Sequence, residues 1–433
     1  MSCPSSAGAD RPSKAGRRPR VLAPLARRDF ALLWVGTGLS LAGDGVYAVA
    51  LAWQVYELSG TAGALAAVGV AWTLPQLALL PWAGIAADRH DRRRLLVAAD
   101  LVRAGAIGAL GVLSALGALS LWMVVAGAVV YGAAEAFSAP AFVALVAQVV
   151  PREELVGANA LEQSARPLAL RLAGPVLGGG LVAATGPGGA LLVDAATFAI
   201  CALAVGLIRR PPTPASGAAR AWRAELSEGA RYVRARVWLW TTLLGAAVGL
   251  LCFYGPVTVL LPWLVKQDLG AGAGSLGIVL GAGGAAALVA ALAAGQLGLG
   301  RSPLRVVYAS WTVGALAIAG YGLADTVWQA ALVSVVVQGA MTVGAIGWGA
   351  QLQRTVPAGL LGRVASLDWL LSTALVPVSL GLTAPAVALF GARAVLVAAG
   401  VASATALAAL GLATALSDRR RLRPNWRAIV SDP

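Results

Sequence analysis

Long apolar runs alternate with short polar breaks along almost the whole chain, from Phe30 to Leu416. A helix that crosses the hydrocarbon core of a bilayer needs about 20 mostly apolar residues. Twelve runs reach that length, so the pattern predicts an all-α membrane protein with two bundles of six helices. The predicted spans are 30–56, 61–87, 94–116, 120–149, 160–185, 188–208, 237–265, 272–299, 304–324, 326–352, 360–388 and 392–416.

The composition agrees with this prediction. Of the 433 residues, 59% are hydrophobic and 12% are charged, whereas about a quarter of a soluble domain is charged. The termini and alternate breaks hold 28 of the 33 lysines and arginines, and the other breaks hold only Lys266 and Arg393. Cytoplasmic segments carry such an excess. The charges therefore place both termini in the cytoplasm and explain the net charge of +14 without a nucleic-acid partner.

The polar breaks also predict a division into domains. The longest break separates six spans from six, and Trp53 and Trp263 close the first and the seventh span at matching positions, as in parallel repeats. Apolar positions at helical spacing predict an amphipathic helix over 220–236 within this break, with a plain polar linker as the alternative. The predicted segments are a cytoplasmic tail (1–29), a six-helix bundle (30–208), a cytoplasmic linker (209–236), a second six-helix bundle (237–416) and a cytoplasmic tail (417–433).

Cofactor chemistry has little support in the sequence. His90 is the single histidine, and Cys3, Cys201 and Cys252 lack the spacing of a metal or redox site. The phosphate-binding pattern Gly-x-x-x-x-Gly-Lys-Ser/Thr does not occur. We therefore expect no cofactor, no metal and no enzymatic activity.

Charged side chains inside the predicted spans are the candidates for function, because placing them in a bilayer is costly. Asp44 and Glu135 lie about midway along the first and the fourth span. Both are candidates for proton coupling, and a carboxylate fixed by hydrogen bonds or an ion pair is the alternative. Asp100 and Arg103 are three residues apart, which predicts an ion pair on the third span. Asp194 is a further acid, in the sixth span.

Substrate contacts are expected from apolar, aromatic and amide side chains near the middle of the bilayer. For each aromatic residue, the alternative is a packing role. Arg166 and Arg171 lie near the start of the fifth span, where either could bind an anionic substrate or balance the charge of Glu135. The candidates for the substrate cavity are Trp72, Gln76, Tyr131, Arg171, Phe253, Tyr254 and Trp348.

The break between the second and the third span reads Gly84-Ile85-Ala86-Ala87-Asp88-Arg89-His90-Asp91-Arg92-Arg93-Arg94. It resembles the loop signature of the major facilitator superfamily, Gly-x-Leu-Ala-Asp-Arg-x-Gly-Arg-Arg/Lys, with Asp91 where glycine is usual. The chain also resembles the drug:proton antiporter branch of that superfamily, which includes macrolide and enterobactin exporters. That narrower resemblance rests on runs such as Phe30-Ala31-Leu32-Leu33-Trp34, Ser40-Leu41-Ala42-Gly43-Asp44 and Asp100-Leu101-Val102-Arg103-Ala104.

The resemblance implies the major facilitator fold with a gate on the cytoplasmic side. Asp88 would pair with loop arginines and face the N-terminal end of the eleventh span while that side is closed, and a loop that only fixes topology is the alternative. The gating residues implied are Gly84, Asp88, Arg89, Arg92, Arg93, Arg363 and Asp368. A run in the fifth span is similar to a motif associated with antiporters and contains Gly174, Pro175, Gly178 and Gly179.

These features predict a secondary active transporter in a bacterial cytoplasmic (inner) membrane. Its expected partners are a small-molecule substrate, protons and the lipid bilayer, and we expect a monomer. The predicted activity is proton-coupled efflux of amphipathic drugs or metabolites by alternating access. An exporter of an endogenous siderophore and a lipid translocator are alternatives within transport. A scaffold or sensor is less consistent with Asp44 and Glu135, because neither role requires an acid inside a span.

Overall fold

A computed structural model describes residues 23–151, 154–209, 230–297 and 302–421. Thirteen α-helices account for most of the described residues, which confirms the predicted all-α class. They are α1 (Arg28–Ser59), α2 (Ala62–Arg89), α3 (Arg92–Ala115), α4 (Leu121–Val149), α5 (Leu155–Arg166), α6 (Gly174–Gly206), α7 (Val237–Trp263), α8 (Ala273–Leu297), α9 (Pro303–Gly322), α10 (Val327–Thr355), α11 (Ala358–Ala374), α12 (Val376–Phe390) and α13 (Ala392–Arg421). Two π-helical segments, Pro167–Ala173 and Leu264–Asp268, continue α5 into α6 and extend α7.

Local sequence explains where the first helices end. Gly60 adopts a left-handed conformation with φ of 66°, which ends α1 and suits a residue without a Cβ atom. The side chain of Thr61 then accepts a hydrogen bond from the backbone N–H of Ala64 and caps α2. The short connection turns the chain back across the membrane, as the polar break predicts.

Eleven helical segments within the described residues are long and apolar enough to cross a membrane, one fewer than predicted. The difference lies in Pro167–Gly206, whose 40 residues merge the predicted fifth and sixth spans. The chain turns sharply at Gly186, where φ is 75°. Contacts with α1 show that the two legs run in opposite directions. Gly45 of α1 lies against Gly174 on the first leg, whereas the earlier residue Gly36 lies against Ala204 on the second. The merged segment therefore supplies two crossings.

The predicted eleventh span, 360–388, is not one continuous helix. The structure divides it into α11 and α12 at Leu375. Pro377 explains the break, because its ring removes a backbone N–H and crowds the carbonyl of the residue four positions earlier. The candidate crossing in this region is Leu367–Phe390, so it includes the break.

The first six helices contact the remaining helices mainly through two pairs, α2 with α12 and α6 with α8. At the α6–α8 crossing, a Cβ atom on Gly179 would lie 2.8 Å from the carbonyl oxygen of Ala273. Glycine permits such a close approach between membrane helices. Tyr56 on α1 adds a hydrogen bond to the carbonyl oxygen of Val259 on α7, with an O···O distance of 2.7 Å. We call the side that the charge pattern predicts to be cytoplasmic the inner side, and the opposite side the outer side.

Most of the predicted linker lies outside the described residues, as do most of the N-terminal tail and the end of the C-terminal tail. Residues 230–234 are helical. Val233 is buried against α7 and its neighbours, and the hydroxyl of Tyr232 donates a hydrogen bond to the carbonyl of Thr355, 3.3 Å away. The predicted amphipathic helix therefore stays a prediction for residues 220–229.

Candidate functional site

Asp44 and Tyr131 form the first part of a polar cluster inside the first six helices. The Tyr131 hydroxyl on α4 donates a hydrogen bond to an Asp44 oxygen on α1, with an O···O distance of 2.5 Å. Tyr131 is buried and stacks on Tyr47, with ring centroids 5.0 Å apart. Tyr47 lies three residues after Asp44 and thus on the same side of α1. The aromatic pair fixes the position of the hydroxyl that faces the Asp44 carboxyl.

Glu135 lies one helical turn after Tyr131 on α4 and is held by a different donor. The indole N–H of Trp72 on α2 donates to a Glu135 oxygen at 2.7 Å. The Trp72 ring also meets Tyr131 edge-on, with centroids 5.6 Å apart. Gly132 makes this approach possible, because a side chain there would meet the Trp72 carbonyl. Two predicted cavity residues, Trp72 and Tyr131, therefore contact the two predicted proton-coupling acids.

Arg103 supplies a buried positive charge beside these acids. It forms the predicted ion pair with Asp100 on α3 and donates to the Ser138 hydroxyl at 3.2 Å. Its guanidinium lies 4.3 Å from the ring centroid of Phe198, and Arg103 is only 6% exposed. Its Nε atom has no hydrogen-bond partner among the described residues. Arg103 thus interacts with Asp100, Ser138 and Phe198, and the sequence predicts only the ion pair with Asp100.

Asp194 is the most deeply buried acid near the cluster, with 0% exposure. One of its oxygens accepts a hydrogen bond from the Thr197 hydroxyl at 3.4 Å. The other has no partner in the described part of the chain. Gly43, next to Asp44, lies directly against Asp194 and Thr197, so that α1 and the second leg of α6 are in close contact.

The charge balance of this cluster determines its chemistry. Four carboxyl groups, those of Asp44, Asp100, Glu135 and Asp194, interact electrostatically with the buried guanidinium of Arg103, and Arg166 interacts with only two of them, Asp44 and Glu135. An ionised carboxylate without a counterion is strongly disfavoured in a low-dielectric interior. This excess of acids over positive charges is what a proton-binding site requires, and Asp44 and Glu135 are the members that water or a cation could reach. Both of these are only partly buried.

Four of the remaining cavity candidates lie on α2, on α7 and in the π-helical segment before α6. Arg166 interacts electrostatically with Asp44 and Glu135, and Tyr254 on α7 interacts with Glu135 and Arg171. The polar cluster in the first half of the chain is therefore within electrostatic range of Tyr254 in the second half. Gln76 and Phe253 are partly buried on α2 and α7, and Arg171 is exposed within the π-helical segment.

Trp348 lies apart from this cluster. It is 7% exposed and packs near Trp238 and Trp311, with ring centroids 6.5 and 6.3 Å away. Its indole N–H donates to an Asp368 oxygen at 2.9 Å. A residue predicted for the cavity therefore hydrogen-bonds a residue predicted for the gate, both near the inner ends of their helices. In this conformation Trp348 packs in the protein interior.

The loop between α2 and α3 is shorter than the predicted gating motif, which extends into both helices. Helix α2 continues through Gly84 to Arg89, and only His90 and Asp91 separate it from α3. Asp91 caps α3 by accepting hydrogen bonds from the backbone N–H groups of Arg93 and Arg94. Asp91, which stands where the superfamily usually has glycine, therefore serves as the N-terminal cap of α3. Arg89 is exposed.

The other described contacts of this loop stay within the first half of the chain. Arg92 donates to the carbonyl of Ala87 at 3.1 Å, and Arg93 donates to the carbonyl of Gly206. The side chains of Asp88 and Arg363 lie outside the described residues. The predicted pairing of Asp88 with the eleventh span therefore stays a prediction.

The antiporter-like run lies where α6 meets α1 and α8. Gly174, Pro175, Gly178 and Gly179 are all buried. Gly174 lies against Gly45 of α1, only one residue from Asp44. This run directly follows the π-helical segment, a type of distortion that is frequent at functional sites. It thus connects the acid cluster with the contact between the two halves.

Lys266 makes an outer contact between the halves that the sequence does not predict. Its ammonium nitrogen lies 3.4 Å from a Glu57 oxygen and 3.2 Å from the Trp53 carbonyl oxygen. It also lies 4.3 Å from the Trp53 ring centroid. The Lys266 contact therefore joins the outer ends of α1 and α7. The only sequence signal is that Lys266 is one of two basic residues in the predicted outer breaks.

Comparisons with known proteins agree with this architecture. Residues 20–432 match a family described as transmembrane secretion effector. The chain is 26% identical over 182 residues to macrolide efflux protein A of Streptococcus pyogenes, covering 42% of this chain and 45% of that protein. It is 29% identical over 183 residues to the multidrug efflux pump Tap of Mycobacterium tuberculosis, covering 41% and 43%. The matched part thus spans less than half the length of these curated relatives.

Solved structures extend the likeness over most of the fold. A bacterial homologue of the iron transporter ferroportin, in an inward-facing state, superposes with a TM-score of 0.68 at 16% identity. The match covers 89% of this chain and 98% of that one. The nucleoside transporter NupG gives a TM-score of 0.65 at 12% identity, covering 90% and 98%. At these identities the likeness shows the fold alone.

Proposed function

Because the chain belongs to the transmembrane secretion effector family of the major facilitator superfamily, we propose that it exports amphipathic small molecules in exchange for protons. The protein is a multi-pass membrane transporter and not an enzyme. Proton coupling, substrate class and direction are the parts that we propose. We further propose that it works as a monomer in the bacterial cytoplasmic membrane.

The observation that carries the proposal is the paired arrangement of Asp44 and Glu135. Each partly buried carboxyl accepts a hydrogen bond from an aromatic donor, Tyr131 or Trp72, and both lie near the buried guanidinium of Arg103. These donors stabilise the ionised forms, whereas the neighbouring acids and the low dielectric favour protonation. A site with such opposed influences can bind and release protons as its access changes. Either carboxyl would also attract a cationic substrate.

Alternating access requires contacts that form on one side of the membrane and break on the other. The contacts around Lys266, Tyr56 and Gly179 join the two halves between the middle of the membrane and the outer side. We infer that they hold the outer side closed, while Arg89, Arg92 and Arg93 with Asp88, Arg363 and Asp368 form the inner gate. Proton binding at Asp44 and Glu135 would shift the balance between these states.

The aromatic surroundings of the cluster favour amphipathic substrates. Trp72 and Tyr254 provide apolar faces with few polar anchors, which suits bulky organic molecules. The names of the two efflux relatives, which refer to macrolides and to multiple drugs, agree with this substrate class.

Arg166 and Arg171 favour a second candidate substrate class. Both are cationic and exposed near the polar cluster, so that an anionic metabolite such as a siderophore could bind there. Only the anionic class of substrate is expected to need Arg171. Export of a cationic dye should survive Arg171→Gln, whereas export of an anionic metabolite should not.

Inside-out vesicles that contain the full chain test the proposal. We expect an imposed proton gradient, acidic inside the vesicles, to drive uptake of cationic amphipathic dyes. Asp44→Asn and Glu135→Gln should remove the effect of the gradient. Asp325→Asn is a matched control, because Asp325 is an exposed acid in the outer connection between α9 and α10. Uptake that is independent of the gradient in the wild type would contradict proton coupling.

A further inference from the structure

An apolar groove lies on the outside of the first six helices, between α3 and α4. Its volume is about 480 Å³, and its lining is almost wholly apolar. The groove uses the face of α4 that carries Val130, Ala133 and Phe137. Tyr131 and Glu135 contribute to the polar cluster inside the bundle instead. Val102 and Val130 are exposed, so the groove faces the hydrocarbon of the membrane.

A second pocket adjoins the inner end of this groove and is basic. It has a volume of about 250 Å³ and is lined by Arg93, Arg94, Val97, Ala98, Leu101 and Gly206. Ala98 lines both pockets, so they meet on α3, the groove on the side of α4 and the basic pocket on the side of α6. The two together form an elongated site, apolar toward the middle of the membrane and cationic at the inner surface.

The two arginines of the basic pocket are arranged differently. Arg93 is fixed by its hydrogen bond to the carbonyl of Gly206. Among the described residues, the Arg94 side chain has only a long ion pair to Asp91, with an N···O distance of 3.7 Å, and it is 70% exposed. Its positive charge is therefore available to a ligand at the level of the lipid headgroups.

We propose that this groove and pocket bind one anionic phospholipid of the inner leaflet. An acyl chain would fill the groove between α3 and α4, and the phosphate of the headgroup would meet Arg94. Hydrocarbon suits the lining, and basic pockets between membrane helices at the cytoplasmic side bind anionic headgroups. The site lies on the opposite face of α4 from Glu135, so the lipid would not occupy the proposed transport path.

Native mass spectrometry of the purified, delipidated full chain tests this site. Phosphatidylglycerol and phosphatidylcholine with identical acyl chains are titrated separately, and the lipid-bound fractions are compared. We expect the wild type to bind phosphatidylglycerol about fivefold more tightly, the effect of one basic side chain near an anionic lipid. Arg94→Gln should remove that preference, and Ala133→Trp should weaken binding of both lipids by filling the groove.

Arg354→Gln is the matched control. Arg354 is also an exposed arginine at the inner end of a helix, but it lies on α10, outside both pockets. It should leave the preference unchanged. Equal binding of the two lipids by the wild type would overturn the proposal. So would a loss of preference in Arg354→Gln as large as in Arg94→Gln. Arg94→Gln changes an exposed side chain and should fold, so the test does not depend on the groove-filling variant.

Discussion

Replacing Lys266 by methionine should open the outer side of the protein more often. The substitution keeps a long apolar stem and removes the ammonium group, which contacts Glu57, the Trp53 carbonyl and the Trp53 ring. These contacts join α1 to the segment after α7, so they must break when the outer side opens. Only the closed state would lose stability in the variant.

The magnitude follows from the separate contacts. An exposed ion pair contributes about 0.2–1 kcal/mol, and Glu57 is 43% exposed, which places this pair in that range. A cation–π contact at such a site adds about 0.5–1 kcal/mol. The total is about 0.7–2 kcal/mol, which changes an equilibrium between two states by about 3- to 30-fold, since 1.4 kcal/mol corresponds to about a factor of ten.

A cysteine at Gly63 can report this opening. A Cβ atom at Gly63 would lie 3.6 Å from the Cβ atom of Ala384 on α12, so the site is covered when the halves are in contact. In a background without the native cysteines, we expect Lys266→Met to raise the rate at which a membrane-impermeant maleimide labels Gly63→Cys from outside. While the open state is rare, the rate should rise by about 3- to 30-fold.

Arg393→Gln is the matched control for this assay. Arg393 is the other outer basic residue, and its ion pairs to Asp268 and Asp325 stay within the second half of the chain. It should leave the labelling rate unchanged. An unchanged rate in Lys266→Met, or an equal rise in Arg393→Gln, would refute the proposal that the contacts of Lys266 hold the outer side closed.

Three further variants test parts of the fold. Asp91→Ala removes the cap of α3 and should lower the free energy of unfolding by about 1 kcal/mol, with Arg94→Gln as a control for the loss of the nearby charge. Arg103→Gln leaves Asp100 without its buried partner and should cost about 3–5 kcal/mol, whereas adding Asp100→Asn should restore most of the thermal stability. Hydrogen bonds from Arg27 lower the pKa of Glu154, so this pair should stabilise the protein above the ordinary glutamate range and lose its effect as the pH falls through the lowered value. Glu154→Gln should flatten that acid limb of the melting temperature, and an unchanged limb would refute the contribution.

The pattern of apolar runs predicts most of the fold because membrane helices follow directly from length and hydropathy. It does not predict that the fifth and sixth crossings form one merged segment, since the reversal at Gly186 depends on a single backbone conformation. The break at Leu375 has a local signal, Pro377, which is insufficient on its own because prolines also occur inside uninterrupted helices such as α2 and α4.

The candidate site shows the same limit. Acids inside spans are visible in the sequence, so Asp44 and Glu135 can be named from it. Their donors, Tyr131 and Trp72, come from helices that periodicity cannot arrange in space. The central position of Arg103 is also a tertiary feature, because Ser138 and Phe198 come from two other helices. Spacing along α3 reveals only its pairing with Asp100.

The most direct test of proton-coupled export is to measure proton and substrate movement together. Purified protein in liposomes, with a pH-sensitive dye inside and a fluorescent cationic substrate added, gives both fluxes in one experiment. We predict that the wild type moves protons against substrate, and that the combined Asp44→Asn and Glu135→Gln variant moves no protons when substrate is added. Proton movement by that double variant at the wild-type ratio to substrate would contradict the account.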